Sequence, residues 1–324
     1  MKNALVVSGG GSKGAFAVGA IEKLREKKIK FDIVAGTSTG SLIAPLVVTD
    51  EIQFLRSVYT SVRTEDIIRK RTVFDILTHD SIYDSNPLWS LINTVVNSER
   101  YQKIVNSTVE MYITTVNLQK GGIEYWNQHT SGDGGGILDR NTLLRAILAS
   151  ACQPVLMPNV RIKEEGNQYT DGGVRECAPL SIAVDHGATD LYSIVLSPEK
   201  REPSNETYVF IVKTFLRFLD LILTEVTEND ISKAVLYNQA IVYLDKLQKK
   251  AKKMFNAAQV NELFNDPKNP NPFSGKKLLK LYLIRPSEEL PTNGLEFRPF
   301  TMSQMVTMGR EAAEAALNNG PLTV

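Results

Sequence analysis

Short apolar runs alternate with longer amphipathic segments through the first part of the chain. Residues 4–8 and 31–35 are compact and apolar, which is typical of strands buried on both faces. Residues 14–27 place larger apolar side chains three or four positions apart, the spacing of an amphipathic helix. Strands separated by helices predict an α/β fold, with a mainly parallel sheet covered by helices on both faces. The predicted strands are residues 4–8, 31–35, 109–117 and 191–196, and the predicted helices are 14–27, 38–48 and 141–151.

The pattern changes after about residue 197. Residues 209–253 have a long helical pattern, and residues 266–275, rich in proline and asparagine, predict a loop. A late strand is predicted at 278–284, and a final helix at 301–317 is closed by Gly320. Without an internal repeat or a linker, the sequence predicts one domain over residues 1–324, with an α/β core in 1–200 and a mostly helical part in 201–324.

Composition narrows the class of protein. Apolar residues make up 43% and charged residues 23% of the 324 residues, and 37 basic against 36 acidic residues give a net charge of +1. These values exclude collagen, a wholly disordered chain and a disulfide scaffold. A balanced charge gives no reason to expect nucleic-acid binding.

Cysteine usage and hydropathy bear on the expected location. Cys152 and Cys177 are too few for a disulfide framework, which fits a reducing cytoplasm. The most apolar stretch, residues 208–223, is interrupted by charges and is too short for a membrane span. The sequence therefore predicts a cytoplasmic protein and leaves peripheral contact with a membrane open.

A glycine cluster follows the first predicted strand and opens the first predicted helix. Glycine there allows a sharp turn and lets backbone N–H groups face an anion. A nucleotide P-loop needs Lys-Ser or Lys-Thr directly after its last glycine. It is excluded because Ala15 follows Gly14. A dinucleotide site is disfavoured because Asp32, the acidic residue at the right distance, starts the second strand instead of ending it. Two interpretations remain: a plain tight turn, or an oxyanion hole formed by the backbone of Gly9, Gly10, Gly11 and Ser12, with Lys13 and Gly14 completing the motif.

The second motif, Gly36-Thr37-Ser38-Thr39-Gly40, lies between a predicted strand and a predicted helix. A G-x-S-x-G sequence in that setting is typical of a strained turn that exposes a nucleophilic serine. The alternative is a serine that only caps a helix. The strand–turn–helix context favours Ser38 as the nucleophile.

A serine nucleophile needs a base. The histidines are His79 and His129, both in polar turns, and His186, at the predicted C-terminal end of a helix. The helix dipole favours a histidine there, so His186 needs no catalytic role to explain its position. The order Ser38, Asp171, His186 nevertheless matches that of hydrolase triads, so His186 stays an alternative. Asp171-Gly172-Gly173 ends a short polar strand and is better placed than the similar Asp133-Gly134-Gly135-Gly136.

Together, the glycine cluster, the G-x-S-x-G motif and Asp171-Gly172-Gly173 resemble the patatin-like phospholipases, lipid acyl hydrolases. A fourth element, Ala149-Ser150-Ala151-Cys152-Gln153-Pro154, resembles the segment that precedes the family's aspartate. The resemblance covers about residues 4–196. It implies a three-layer α/β/α sandwich and substrates that are acyl esters of phospholipids, lysophospholipids or galactolipids.

The resemblance also implies roles for individual residues. Ser38 would be the nucleophile, Asp171 the base in a dyad without histidine, and backbone N–H groups around Gly10 and Gly11 the oxyanion hole. Lys13 lies where the family usually carries a basic residue. No metal or cofactor is implied. Cys177 departs from the family, which often has asparagine there, and we interpret it as a small packed side chain in preference to a redox-sensitive thiol.

Alternatives remain for the function and for the helical part. An acyltransferase, or an esterase on another acyl ester or thioester, would use the same elbow, and a non-catalytic lipid- or partner-binding protein could keep the fold. Residues 209–223 predict either a lid or, preferably, a helix buried over the sheet. A further set of lysines at helical spacing could meet anionic lipid, although a solvated helix face is the preferred interpretation: Lys246, Lys249, Lys250 and Lys253.

Overall fold

A computed structural model describes residues 1–128, 139–163, 165–201, 203, 206–268 and 270–322. The strands are β1 (Lys2–Val7), β2 (Ile33–Thr37), β3 (Arg69–Lys70), β4 (Tyr83–Asp84), β5 (Glu110–Asn117), β6 (Gly122–Trp126), β7 (Val160–Arg161), β8 (Gln168–Asp171), β9 (Ala188–Ile194) and β10 (Lys280–Ile284). The helices are α1 (Gly14–Glu26), α2 (Thr39–Val48), α3 (Ile52–Ser61), α4 (Val73–Thr78), α5 (Asn86–Val95), α6 (Ser98–Val105), α7 (Arg140–Ala151), α8 (Leu180–Asp185), α9 (Ile211–Met254), α10 (Ala257–Phe264) and α11 (Pro299–Asn319).

One mixed sheet forms the centre of the fold, in the order β10-β9-β1-β2-β5-β8-β7, with β6 also paired to β5. The pairs from β10 to β5 are parallel, and β6, β7 and β8 are antiparallel to their neighbours. The predicted α/β fold with a mainly parallel sheet is therefore confirmed.

Alternate residues of the central strands belong to two separate cores. Leu5 and Val7 of β1 pack into the larger core, which includes α1, α2, α7 and α11. Ala4 and Val6 point the other way, into a smaller core to which α8 and α9 contribute. Because side chains alternate along a strand, both faces of the sheet are covered, as the sequence predicts.

Most predicted elements agree with the structure to within about three residues. The long helical pattern is the single helix α9, and the predicted late strand and final helix are β10 and α11. The region between α2 and β5, where no helix or strand was predicted, contains α3 to α6 and the small antiparallel pair β3–β4.

Candidate active site

Strand β5 brings the two candidate catalytic segments together. β2 runs parallel to β5 and ends at Thr37 opposite Thr114, and β8 runs antiparallel and ends at Asp171 opposite Thr115. Both strands pair with the same edge of β5, since β6 occupies the other edge over the same residues. Two strands thus end head to head at neighbouring positions of β5, so Ser38 and Asp171 meet at the carboxyl end of β2.

Ser38 occupies a strained turn between β2 and α2. Its backbone angles are φ 56° and ψ −119°, a left-handed conformation that L-residues rarely adopt. The flanking glycines are required by close approach: a Cβ on Gly36 would lie 2.3 Å from the Gly40 carbonyl carbon, and one on Gly40 would lie 2.2 Å from the Val7 oxygen. The N–H of Ser38 donates to Ser150 Oγ at 3.0 Å, so the predicted alanine- and serine-rich segment supports the turn.

The glycine cluster faces Ser38 from β1. A Cβ on Gly9 would lie 3.2 Å from Ser38 Cβ. The N–H of Gly9 donates to the Cys177 oxygen at 3.2 Å, and that of Ser12 donates to the Gly294 oxygen at 2.9 Å. The N–H groups of Gly10 and Gly11 make no hydrogen bond within the described part of the chain. Of the four predicted donors, these two are therefore available to an anion next to Ser38.

Asp171 is only 2% exposed and lies behind Ser38. Its Oδ1 accepts the N–H of Gly173 at 2.7 Å, and Oδ2 has no hydrogen-bond partner among the described residues. Burial raises the pKa of the Asp171 carboxyl to about 6, although the Gly173 N–H and the nearby Ser38 hydroxyl favour the ionised form. The Ser38 hydroxyl is thus close to the carboxylate without reaching hydrogen-bond geometry, as is common in unliganded sites. Gly172 fits against β5, since a Cβ there would lie 2.5 Å from the Thr114 oxygen.

A cavity of about 630 Å³ opens above Ser38. Its floor is lined by residues 9–11 and 13 of the glycine cluster, by Ser38 and Thr39 of the elbow and by Cys177, and Asp171 is buried behind Ser38. Its roof is formed by the first half of α9 (residues 211–227) and by residues 289–297. A narrow apolar slot of about 50 Å³ adjoins it and shares four of its lining residues. These shared residues are Leu42, Ile67, Leu88 and Phe297.

Charged side chains line the roof side of the cavity. Arg201 and Arg217 both contact Asp220, at 2.7 and 2.9 Å, and Arg201 also approaches Glu289 at 3.4 Å. Lys13 reaches the same cavity from the floor, and burial lowers its pKa. Sequence reasoning missed the four roof residues, since none of them belongs to a motif.

The described histidines lie away from the cavity. His186 Nδ1 is bonded to the Tyr112 hydroxyl at 2.8 Å and lies 3.2 Å from Glu110, beside the first residue of β5. That end of the sheet is separated from Ser38 by the length of β2, roughly 15 Å. His79 is exposed at the end of α4 and contacts Asp75 and Thr78. The alternative base His186 is therefore wrong. His129 and the Asp133–Gly136 sequence lie outside the described residues.

Cys177 packs beside the site. It is 2% exposed, and burial raises the pKa of its thiol to about 12, so the thiol stays protonated at neutral pH. Since the thiolate is the reactive form, the interpretation of Cys177 as a small packed side chain is confirmed.

Helix α9 covers the cavity with its first half and the sheet with its middle. Ala234 joins the smaller core, but Ile211 is 86% and Phe218 is 56% exposed. The preferred interpretation of residues 209–223 as a buried helix is therefore wrong for the start of the helix. The predicted lysine set is exposed near the far end of α9, and Lys246 lies roughly 30 Å along the helix axis from Thr227, the last cavity residue of the helix. No helix in the described ranges combines the length and the apolar character that a membrane span requires.

A family model and several known proteins are similar to this chain. The sequence model of one family, described as patatin-like phospholipase, matches residues 5–184. The uncharacterized protein YqhO of Bacillus subtilis is 27% identical over 220 residues, 61% of this chain and 72% of its own. Lysophospholipase NTE1 of Mycosarcoma maydis is 25% identical over 199 residues, 60% of this chain but only 10% of its own length. A crystal structure of VipD from Legionella pneumophila aligns over 98% of this chain and 67% of its own, with a TM-score of 0.47 and 13% identity. The matched residues 5–184 contain Ser38 and Asp171 and end before α9.

Proposed function

Because the chain belongs to the patatin-like phospholipase family, we propose that it is a serine hydrolase that cleaves carboxylic ester bonds of lipids, as a phospholipase A or lysophospholipase. The observation that carries the proposal is the meeting of Ser38 and buried Asp171 beside a cavity that adjoins an apolar slot, next to two N–H groups, those of Gly10 and Gly11, that have no hydrogen-bond partner among the described residues. A nucleophile, a base and an oxyanion site side by side are the parts that acyl transfer needs.

The proposed reaction uses the Ser38–Asp171 dyad. Asp171 Oδ2 accepts the proton of the Ser38 hydroxyl while Ser38 Oγ forms a bond to the ester carbonyl carbon. The N–H groups of Gly10 and Gly11 stabilise the oxyanion. The bond to the alcohol oxygen then breaks, and that oxygen takes the proton from Asp171, leaving an acyl-serine. Water repeats the sequence, releases the fatty acid and restores both residues.

The raised pKa of Asp171 suits this role. An ordinary aspartate with a pKa near 3.8 is a weak base for a hydroxyl, whereas a pKa of about 6 strengthens the base and still leaves it ionised at neutral pH. Burial is the main cause of the raised pKa, so the packing of β8 against β5 strengthens Asp171 as a base.

The two compartments of the cavity support a lipid substrate. The slot is lined by apolar side chains of α2, α3 and α5 and suits the apolar part of a substrate, while the charged roof side suits a polar headgroup. The name of the NTE1 relative, a lysophospholipase, is consistent with this division. An acyltransferase would pass the same acyl-serine to an alcohol or thiol, and a binding protein would form no acyl-serine.

We further propose that the cavity opens toward a lipid surface. Tyr208 and Lys213 line the cavity, and between them Val209, Phe210 and Ile211 are 71%, 67% and 86% exposed. Exposed apolar groups at a cavity mouth, with a lysine beside them, are suited to the interface of a bilayer or micelle.

Covalent labelling tests the proposal. Wild-type protein treated with a fluorophosphonate should gain one adduct by intact mass, and Ser38→Ala should gain none. Ser193→Ala is the matched control, because the Ser193 hydroxyl is buried in β9 without a hydrogen-bond partner in the described residues and lies outside the cavity. Phosphatidylcholine and lysophosphatidylcholine vesicles, with free fatty acid as the readout, then test the substrate.

The outcomes separate the alternatives. Labelling of Ser38 with release of fatty acid supports the lipid hydrolase. Labelling with acyl transfer to an added alcohol, and without free acid, indicates an acyltransferase. A folded wild type that is not labelled even in the presence of vesicles overturns the serine hydrolase and leaves a binding protein.

A further inference from the structure

Two consecutive peptide groups link the floor of the cavity to the long helix. The carbonyl oxygen of Glu176 accepts the Thr37 hydroxyl at 3.1 Å, and the next N–H, that of Cys177, donates to Asp230 Oδ2 at 2.9 Å. The carbonyl oxygen of Cys177 accepts the N–H of Gly9 at 3.2 Å, and the next N–H, that of Ala178, donates to the same Asp230 oxygen at 3.0 Å. Each peptide group therefore holds a neighbour of the reaction site through its oxygen and Asp230 through its nitrogen.

We propose that Asp230 is a positioning residue for the dyad and the oxyanion hole, acting through the peptide groups at 176–178. A negative charge on the N–H side of a peptide group makes its carbonyl oxygen a stronger acceptor, because hydrogen bonds in series polarise one another. The carboxylate thereby strengthens the bonds that fix Thr37, next to Ser38, and Gly9, next to the free N–H groups of Gly10 and Gly11. The inference rests on the proposed function.

The placement of Asp230 supports this role. It is 6% exposed, although it lies on a helix whose outer surface is largely polar. A buried carboxylate is costly unless its hydrogen bonds offset the loss of hydration, and here a single oxygen receives two backbone donors. Asp230 also lies beyond residue 184, where the family match ends, so the helical part of the chain stabilises a segment of the catalytic part.

Ionisation of Asp230 gives the proposal a pH signature. The pKa of Asp230 is raised to about 7, mainly by burial and also by the Glu176 charge, while the two backbone donors and Lys233 lower it. Asp230 thus loses its charge as the pH falls through 7, whereas Asp171 does so near 6. A second cavity, of about 340 Å³, lies beside Asp230 and is lined by further charged or titratable groups. Besides Glu176 and Lys233, they are Tyr125 of β6, Arg175 of the loop, Asp185 of α8, Tyr237 of α9 and Lys276.

Replacement of Asp230 should lower turnover and leave substrate binding alone. Asp230→Asn keeps the shape and an acceptor oxygen but removes the charge, and we expect kcat on a soluble ester to fall about tenfold with KM unchanged. Asp230→Ala leaves two buried N–H groups unpaired, and we expect a fall of about a hundredfold, since a misplacement of about 1 Å can cost that much. In Asp230→Asn the rise of kcat with pH should move from about 7 to about 6.

Asn238 offers a matched control on the same helix. Its side chain also holds two buried backbone groups, accepting the Leu279 N–H at 2.8 Å and donating to the Leu279 oxygen at 2.7 Å, but Leu279 lies just before β10 and neither residue lines the cavity above Ser38. Asn238→Ala should therefore cost stability comparable to that lost in Asp230→Ala while changing kcat less than twofold.

Hydrogen exchange and fluorophosphonate labelling keep the test independent of the lipid assay. The amides of Cys177 and Ala178 should exchange faster in Asp230→Ala than in wild type or Asn238→Ala, and the rate of Ser38 labelling should fall in parallel with kcat. Unchanged exchange of these amides would overturn the contact itself. Faster exchange with unchanged labelling and kcat, or an equal loss of kcat in Asn238→Ala, would overturn the positioning role. A wild type that is neither labelled nor active would instead overturn the proposed function.

Discussion

The floor and the roof of the cavity are built in opposite ways. The floor is backbone held against backbone: added Cβ atoms on Gly36, Gly40 and Gly172 would lie 2.2 to 2.5 Å from main-chain atoms. The roof is made of long side chains, with Arg201 and Arg217 gathered around Asp220. The difference teaches that the atoms proposed to react are fixed by the main chain, whereas the surface proposed to meet the substrate headgroup is made of side chains held by one another.

The largest expected effect is on the rate of ester hydrolysis, when Asp171 behind the floor is replaced and the fold is kept. Asp171→Asn removes the proposed base, and we expect the rate of ester hydrolysis to fall about 10²- to 10⁴-fold. Because burial raises the pKa of Asp171 from 3.8 to about 6, the charged carboxylate destabilises the folded state at neutral pH. The free energy of unfolding of Asp171→Asn at pH 7.5 should therefore exceed that of the wild type by up to about 3 kcal/mol.

The difference in the free energy of unfolding between Asp171→Asn and the wild type should depend on pH. The stability that protonated Asp171 contributes is present below about pH 4 and is lost as the pH rises through 6, so the two proteins should converge in acid. Urea unfolding at pH 4 and 7.5 measures the difference. An Asp171→Asn protein that keeps wild-type turnover would show that the floor does not supply the base.

A smaller effect is expected from added bulk in the floor. Gly40→Ala would place a methyl group of α2 2.2 Å from the Val7 oxygen at the end of β1, and both elements are packed into the larger core, so we expect a loss of about 2–4 kcal/mol in the free energy of unfolding. Gly122→Ala is the control, because an added Cβ there meets nothing within 4 Å. Thermal unfolding compares the two, and equal midpoints would contradict the close packing of the elbow.

The smallest effect is expected at the rim of the roof. Ile211→Asp places a charge where an exposed apolar side chain is proposed to enter lipid, and we expect the ratio of the rate on vesicles to the rate on a soluble ester to fall about tenfold. Leu263→Asp is the control, since Leu263 is 62% exposed on α10 and does not line the cavity. The same ratio in both variants would remove the rim from the proposed lipid surface.

The contrast between floor and roof also explains what the sequence could predict. Ser38, Asp171 and the glycines carry local requirements, such as a left-handed turn or a close approach, which restrict residue types at fixed spacing. Asp220, Asp230 and Glu289 have no such signature, because an acidic residue has the same local pattern whether it faces water or a cavity. Their roles depend on how α9 and residues 289–297 pack on the sheet.

His186 shows the limit of chain order as a guide. Its position after Ser38 and Asp171 matches a triad, but β5 places Glu110 and Thr114 at opposite ends of β2, and His186 lies at the Glu110 end. The order of residues along the chain carries no information about which end of a strand they approach. The sheet, in contrast, was predictable from local sequence, because the apolar runs of β1 and β2 reflect strands buried on both faces.

The head-to-head ending of β2 and β8 on β5 has a consequence for how the protein is made. Ser38 is synthesised early and Asp171 much later, and neither is beside the other until both strands have docked on β5. Contacts between such distant parts of a chain form late because a long loop must close first. A nascent or half-folded chain therefore has no assembled Ser38–Asp171 pair and, on the proposed function, cannot attack lipids, so a probe that reacts with Ser38 would count only the molecules that have finished folding.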